Sequence, residues 1–169
     1  DGYFKTKLNV TTAGSGTAEI SLLSEDGKEN QSLTASAGQE ITLKFRMGDR
    51  TAFESITLQR HNDYENPSKV TSEETILKKE QINNLKPDEN GYFTYTYPAP
   101  YSNATFVLNT YSGYKVYTKG TNQIVDDAIL LDSYGNTFKE GETVTFFVKD
   151  TVKKVGYYEG ETYKEIELK

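Results

Sequence analysis

The sequence predicts an all-β chain built from small β-sandwich modules in tandem. Three observations carry this reading. Apolar and polar residues alternate with a period of two through most of the chain, the pattern of strands with one buried face. Thirteen tyrosines and eight phenylalanines occur without a tryptophan, and such aromatics pack well on a pleated surface. Stripes of helical period are scarce.

The clearest stretch is 91–111, GYFTYTYPAPYSNATFVLNTY. Phe93, Tyr95 and Tyr97 alternate with Thr94 and Thr96, and Ala104, Phe106 and Leu108 alternate with Thr105, Val107 and Asn109. Pro98 and Pro100 cannot donate to a ladder, so the chain turns between two strands. From the N-terminus, a strand is expected over 4–11, with Phe4, Thr6, Leu8 and Val10 on one face. A glycine-bearing turn follows at 13–16, then a strand over 17–23 with Ala18, Ile20 and Leu22 inward and Glu19 and Ser21 outward. Asp26-Gly27 marks a turn, because glycine reaches positive φ at no steric cost. A short strand is expected over 33–37. Gly38 leads into the best-defined strand of the first half, 40–47, where Ile41, Leu43, Phe45 and Met47 alternate with Thr42, Lys44 and Arg46. Another is expected over 53–60.

Residues 61–68 are polar and punctuated by proline, hence a loop. Thr71 and Glu74 have capping-box spacing, but Ile76, Leu77, Ile82 and Leu85 form no helical stripe. A strand near 75–79 with irregular chain after it is the expectation. Ser112-Gly113 is the expected boundary, dividing a module over 1–112 from a shorter one over 113–169. Strands are expected in the latter at 114–118, 128–132, 143–149, 154–158 and 163–168. The halves overlay as a repeat. Leu22-Leu23 with Gly27 matches Leu130-Leu131 with Gly135. Gly38 with Ile41-Thr42-Leu43-Lys44-Phe45 matches Gly141 with Val144-Thr145-Phe146-Phe147-Val148 at an offset five residues shorter. The missing residues fall in a loop, where deletions cost little.

Length, charge and composition bound the function. At 169 residues the chain can bury a core without staples. It has no cysteine, hence no disulfide or thiolate metal site. The net charge is −6, with 11 bases against 15 acids up to Ser112 and 8 against 10 beyond it. That disfavours nucleic acid and gives neither half a special field. No apolar run reaches membrane-spanning length. No signal peptide or sorting signal is evident, and the chain reads as a piece of something larger.

The first half resembles the InlB B-repeat-like modules of Gram-positive surface proteins. The residues carrying the resemblance are 7–10 with Gly16-Thr17-Ala18, then 38–43, 53–58 and 91–108, covering roughly 5–111 with an echo over 114–169. The sequence departs from that pattern at Tyr97, where a methionine is common, and in the polar insertion 61–74. The resemblance implies immunoglobulin-like β-sandwich repeats of a bacterial cell-surface or secreted protein, extracellular and without catalytic residues or cofactors. Their partners would be neighbouring domains of a larger chain and a host glycan or extracellular protein. The expected role is a spacer, adhesion to a host ligand, or both. The alternative is an accessory carbohydrate-binding domain of a large carbohydrate-active enzyme.

For an enzyme, the chemistry is thin. His61 is the single histidine, so any Ser-His-acid triad would need it, and it reads as a solvated loop residue. Asp63, Glu65, Glu73 and Glu74 read as solvated acids. Asp126, Asp127 and Asp132 raise calcium, but their spacing is not that of an EF-hand. Lys7, Lys44 and Asn109 raise a Lys–Asn isopeptide crosslink, without a specific motif. The sequons at Asn9, Asn30 and Asn103 permit glycosylation. The strongest candidate ligand residues are the tyrosines Tyr92, Tyr101, Tyr111, Tyr114 and Tyr117, because rings with a polar tip suit sugars and protein interfaces.

Overall fold

The structure, a computed structural model, describes residues 4–49, 51–115, 129–131, 137–139, 146–148 and 154–167. The chain divides into two compact units, Asp1–Tyr111 and Ser112–Lys169. The described residues are mostly β, in several sheets.

The first unit has nine strands: β1 (Lys5–Gly14), β2 (Ala18–Leu23), β3 (Glu29–Asn30), β4 (Ser32–Ser36), β5 (Glu40–Met47), β6 (Thr51–His61), β7 (Ser72–Leu77), β8 (Phe93–Pro98) and β9 (Asn103–Lys115). They form two sheets, one ordered β4-β1-β9-β6-β7 and the other β3-β2-β5-β8. One hydrophobic cluster is shared between them, so the unit is sandwich-like. The first sheet contributes Leu8, Val10, Ile56, Leu58, Phe106 and Leu108, and the second Ile20, Leu22, Ile41, Leu43 and Phe45. These are the alternate residues of each strand, because successive side chains point to opposite faces. Phe45 meets Phe93 and Phe53 at centroid distances of 5.4 and 5.8 Å.

The proline turn after β8 is a crossover between sheets. β8 pairs with β5 (Ile41 opposite Tyr97, Phe45 opposite Phe93), whereas β9 pairs with β1 in parallel, Leu8 opposite Ala104 through to Gly14 opposite Thr110. This pairing carries β1 through Gly14, into the turn expected at 13–16. Ser15 N donates to Thr110 O at 3.2 Å and Thr110 Oγ1 donates to Ser15 O at 3.0 Å. Ser21, expected to face outward, is buried and donates to Glu29 Oε1 at 3.2 Å. The strand expected near 75–79 lies earlier, as β7, and contains Thr71's capping-box partner Glu74. A short 3₁₀ helix, Lys79–Asn84, follows where irregular chain was expected. Its Ile82, with Leu85 after it, packs on the core.

In the second unit the described strands are β10 (Ile129–Leu131), β11 (Thr137–Lys139), β12 (Phe146–Val148), β13 (Val155–Glu159) and β14 (Thr162–Ile166). β11 pairs antiparallel with the end of β9, β10 with β12, and β13 with β14. β13 and β14 form a hairpin whose two-residue loop starts at Gly160, φ +60°, where glycine is favoured.

Gly14 has φ +98°, and a Cβ there would strike the Thr110 carbonyl. Gly27 has a similar φ of +82° but open space around it. We expect Gly27→Ala to cost about 1–2 kcal/mol, the left-handed penalty alone. Gly14→Ala should cost clearly more, because the Thr110 backbone must shift as well. Urea unfolding of both variants reads the difference.

Candidate functional site

The connections β4–β5, β6–β7 and β8–β9 leave the first unit at one end, where β1 and β9 begin. Hydrogen bonds tie these segments together. Ala37 N donates to Phe4 O at 2.8 Å, Gly38 N to Ala99 O at 2.8 Å, and Ala99 N to Gln39 O at 2.8 Å. Lys7 N donates to Asn103 Oδ1 at 2.8 Å. The Tyr101 hydroxyl lies beside Gly38. On the β6–β7 side, His61 spans to both the loop and β9. Its Nδ1 lies 3.1 Å from Lys69 O and its Nε2 lies 3.0 Å from Thr105 Oγ1. A carbonyl only accepts, so Nδ1 carries the proton, and in the neutral ring the Thr105 hydroxyl donates to Nε2. His61 thus closes β6 as a half-buried, doubly bonded residue, not the solvated loop histidine expected.

Within the loop, Asp63 Oδ1 accepts from Glu65 N and Asn66 N, both at 3.0 Å, while its other oxygen lies 3.7 Å from Lys69 Nζ. This Asx-turn geometry gives the polar insertion a fixed shape. It holds Tyr64 out in solvent, 85% exposed, as Tyr101 is at 76%. Phe4 and Val70 are exposed at the same end. Among the described residues, every exposed large hydrophobic side chain of the first unit belongs to this end. The exposed polar groups around them include Asn62, Asn66 and Ser68. Tyrosine on loops with serine, asparagine and glycine is the chemistry of adaptable recognition surfaces, since tyrosine offers rigid amphipathic area at low entropic cost.

Of the five tyrosines singled out from the sequence, Tyr101 belongs to this surface. Tyr92 lies at the opposite end of β8, roughly 20 Å away by the rise of a six-residue strand. Lys44 Nζ and the Arg46 guanidinium carbon sit 4.4 and 4.5 Å from its ring centroid. Those cations also pair with Glu29 and Glu19, each at 3.3 Å. Tyr111 is buried, with Lys79 Nζ 4.8 Å from its ring centroid. Tyr114 stands in β9 opposite Phe138, and Tyr117 lies outside the described residues. Tyr92, Tyr101 and Tyr111 therefore form no common platform. Tyr95 and Tyr97 instead reach across the sandwich, donating to Ile76 O at 3.0 Å and Glu74 Oε1 at 3.4 Å.

Among the described residues no three histidine or carboxylate side chains gather as a metal site; Asp126, Asp127 and Asp132 lie outside them. Glu73 accepts from Gln59 and Glu74 pairs with Arg60. Asn109 donates to Ser55 Oγ at 3.2 Å and Thr57 Oγ1 at 3.1 Å. It stands opposite Ala13, six residues along β1 from Lys7, roughly 20 Å away. Lys44 is in the other sheet, paired with Glu29. None of these three residues is arranged to form the crosslink. Among the described residues no helix is long and apolar enough to cross a membrane. No family model, curated protein or solved structure matches the chain.

Two outcomes follow from these contacts. The intact mass should equal that of the unmodified sequence, with no ammonia lost between Lys7 or Lys44 and Asn109. Burial first, and the neighbouring Glu74 charge second, raise the Tyr97 hydroxyl above its ordinary 10.0. Its stabilising effect is then complete below pH 10.0 and lost as the pH rises through the raised value. Alkaline unfolding of Tyr97→Phe should therefore show a shallower fall in stability above pH 10.0 than that of the parent chain.

Proposed function

We propose that the chain is a non-catalytic spacer and adhesion module of a bacterial cell-surface protein, built of tandem immunoglobulin-like β-sandwich repeats, with the aromatic loop end of the first unit as its ligand contact. The observation that carries the ligand contact is the gathering of Phe4, Tyr64, Val70 and Tyr101 at that end. Isolated apolar side chains on a surface are ordinary, but their restriction to one loop end points to recognition. The ligand class these groups suit best is a glycan. A tyrosine face takes the C–H face of a sugar, and amides and hydroxyls around it take the sugar hydroxyls. The ion pair within the loop, Asp63 with Lys69, is internally satisfied.

The tandem arrangement draws support from strand register. The shifts of 108 and 103 residues that lay Leu22 on Leu130 and Gly38 on Gly141 can be applied to the pairing of β1 with β4. Lys5 opposite Ser36, Thr6 opposite Ala35 and Lys7 opposite Thr34 then become Gly113 opposite Lys139, Tyr114 opposite Phe138 and Lys115 opposite Thr137. Those are the pairs that β9 and β11 make. The second equivalent pair keeps its antiparallel sense with a one-residue difference. Leu22 faces Leu43, whereas Leu130 faces Phe147 where the shift would place Phe146. The resemblance to Gram-positive surface repeats supports an extracellular bacterial setting, and the lack of cysteine is compatible with it.

The alternative, an accessory carbohydrate-binding domain of a secreted enzyme, rests on the same tyrosines and differs in its ligand, an insoluble polysaccharide in place of a host glycan. Binding of the chain to an oligosaccharide array and to insoluble polysaccharides tests both. We expect saturable binding that weakens about tenfold, equivalent to about 1.4 kcal/mol, in Tyr64→Ala and in Tyr101→Ala, and is unchanged in Tyr92→Ala. Binding that survives both loop changes would remove the loop end as the contact. Absence of binding to every glycan would remove the ligand class.

A further inference from the structure

Tension along the chain meets an unusual arrangement in the first unit. It enters β1 at Lys5 and leaves through the Tyr111 end of β9. These strands are neighbours and run parallel, with seven residue pairs from Leu8 opposite Ala104 to Gly14 opposite Thr110. The entry point of β1 and the exit point of β9 therefore lie at opposite ends of one ladder. Pulling them apart slides the two strands along each other and loads the whole ladder together. In the opposite geometry, where both strands are pulled from the same end, the bonds open one after another.

Three further features favour the sliding mode. Neither strand is at an edge: β4 flanks β1 and β6 flanks β9, so neither can be peeled from the side of the sheet. The ladder is pinned at both ends, by Lys7 N on Asn103 Oδ1 at one and by Ser15 N on Thr110 O with Thr110 Oγ1 on Ser15 O at the other. Each strand is also anchored in the core, β1 by Leu8 and Val10 and β9 by Ala104, Phe106 and Leu108. Sliding by one residue would carry these side chains to the outer face.

We propose that the parallel β1–β9 ladder is a mechanical clamp that lets the first unit bear tensile load along the chain. This rests on the spacer reading above and specifies what the spacer resists. Load-bearing lies in the resistance of a transition state to force, so it is separable from equilibrium stability.

Single-molecule pulling on the full chain tests it. The chain has no cysteine, so introduced cysteines give unique attachment points. One pair of handles goes at the two termini. The other goes at the N-terminus and at the exposed Tyr101→Cys, which draws β1 and β9 apart from the same end. The released length, about 3.3–3.6 Å per freed residue, identifies the first unit in either trace. Urea unfolding of both handle variants establishes that they fold alike. We expect the first unit to open in one step at a force several-fold higher through the termini than through Tyr101→Cys. Equal forces in the two geometries would overturn the clamp while leaving ligand binding by the loop end untouched. Loss of glycan binding, conversely, would leave the force difference intact, so the two readings fail separately.

Discussion

The first unit depends on the parallel pairing of β1 with β9. A parallel neighbour cannot be reached through a hairpin; it needs a crossover. Here the crossover is nearly the whole unit, and the Lys7–Asn103 bond closes a separation of 96 residues. Everything between must be in place for that bond to form. The second sheet, β3-β2-β5-β8, is part of the crossover and covers the apolar face of the first. Gly14 is needed because the ladder ends in a close approach to the Thr110 carbonyl. Contacts this distant in sequence carry loop-closure entropy that is recovered late, which makes such folds slow to form.

Periodicity in the sequence reads which face of a strand is buried, and it did so well for Leu8 and Val10, for Ile41, Leu43 and Phe45, and for Ala104, Phe106 and Leu108. It carries no information about which strand lies alongside. The two strands around Pro98 and Pro100 therefore read as a single proline-turned pair, although they belong to different sheets. Ser21 shows the other limit. Its alternation is outward, but Glu29 accepts its hydroxyl proton and the residue becomes buried. Both effects come from long-range packing, which a local pattern does not encode.

The candidate site was partly legible for the same reason. Tyr92 and Tyr101 are close in sequence, yet β8 alone separates them by its own length. Tyr92 holds Lys44 and Arg46 against the sheet, and its hydroxyl, donated to Glu19, is held above the ordinary tyrosine range chiefly by that bond. Tyr111 is interior. Tyr64, on a loop that read as polar and proline-punctuated, is 85% exposed. Its signal lay in the neighbouring asparagine and aspartate residues, whose side chains order a loop through their own backbone. An aromatic residue held out by an ordered loop forgoes burial, a cost that the recognition role proposed above would offset.

The clamp and the loop end occupy different parts of the same sheet, and this separation has a physical consequence. Tension passes from β1 to β9 through the ladder without running along the 62–71 loop or the 99–102 crossover. The hydrogen bonds from Gly38 to Ala99 and from His61 to Lys69 and Thr105 are not in series with the load, whereas Phe4, just before Lys5, lies on the loaded path. The 62–71 loop and the 99–102 crossover, held this way, keep their shape until the ladder itself yields. If the ladder gives, β1 is withdrawn, and Phe4 and the Ala37 turn lose their mutual anchor at once. If the first unit is the adhesion module proposed above, its Tyr64 and Tyr101 contacts are independent of load below the rupture force and are lost with the ladder at it.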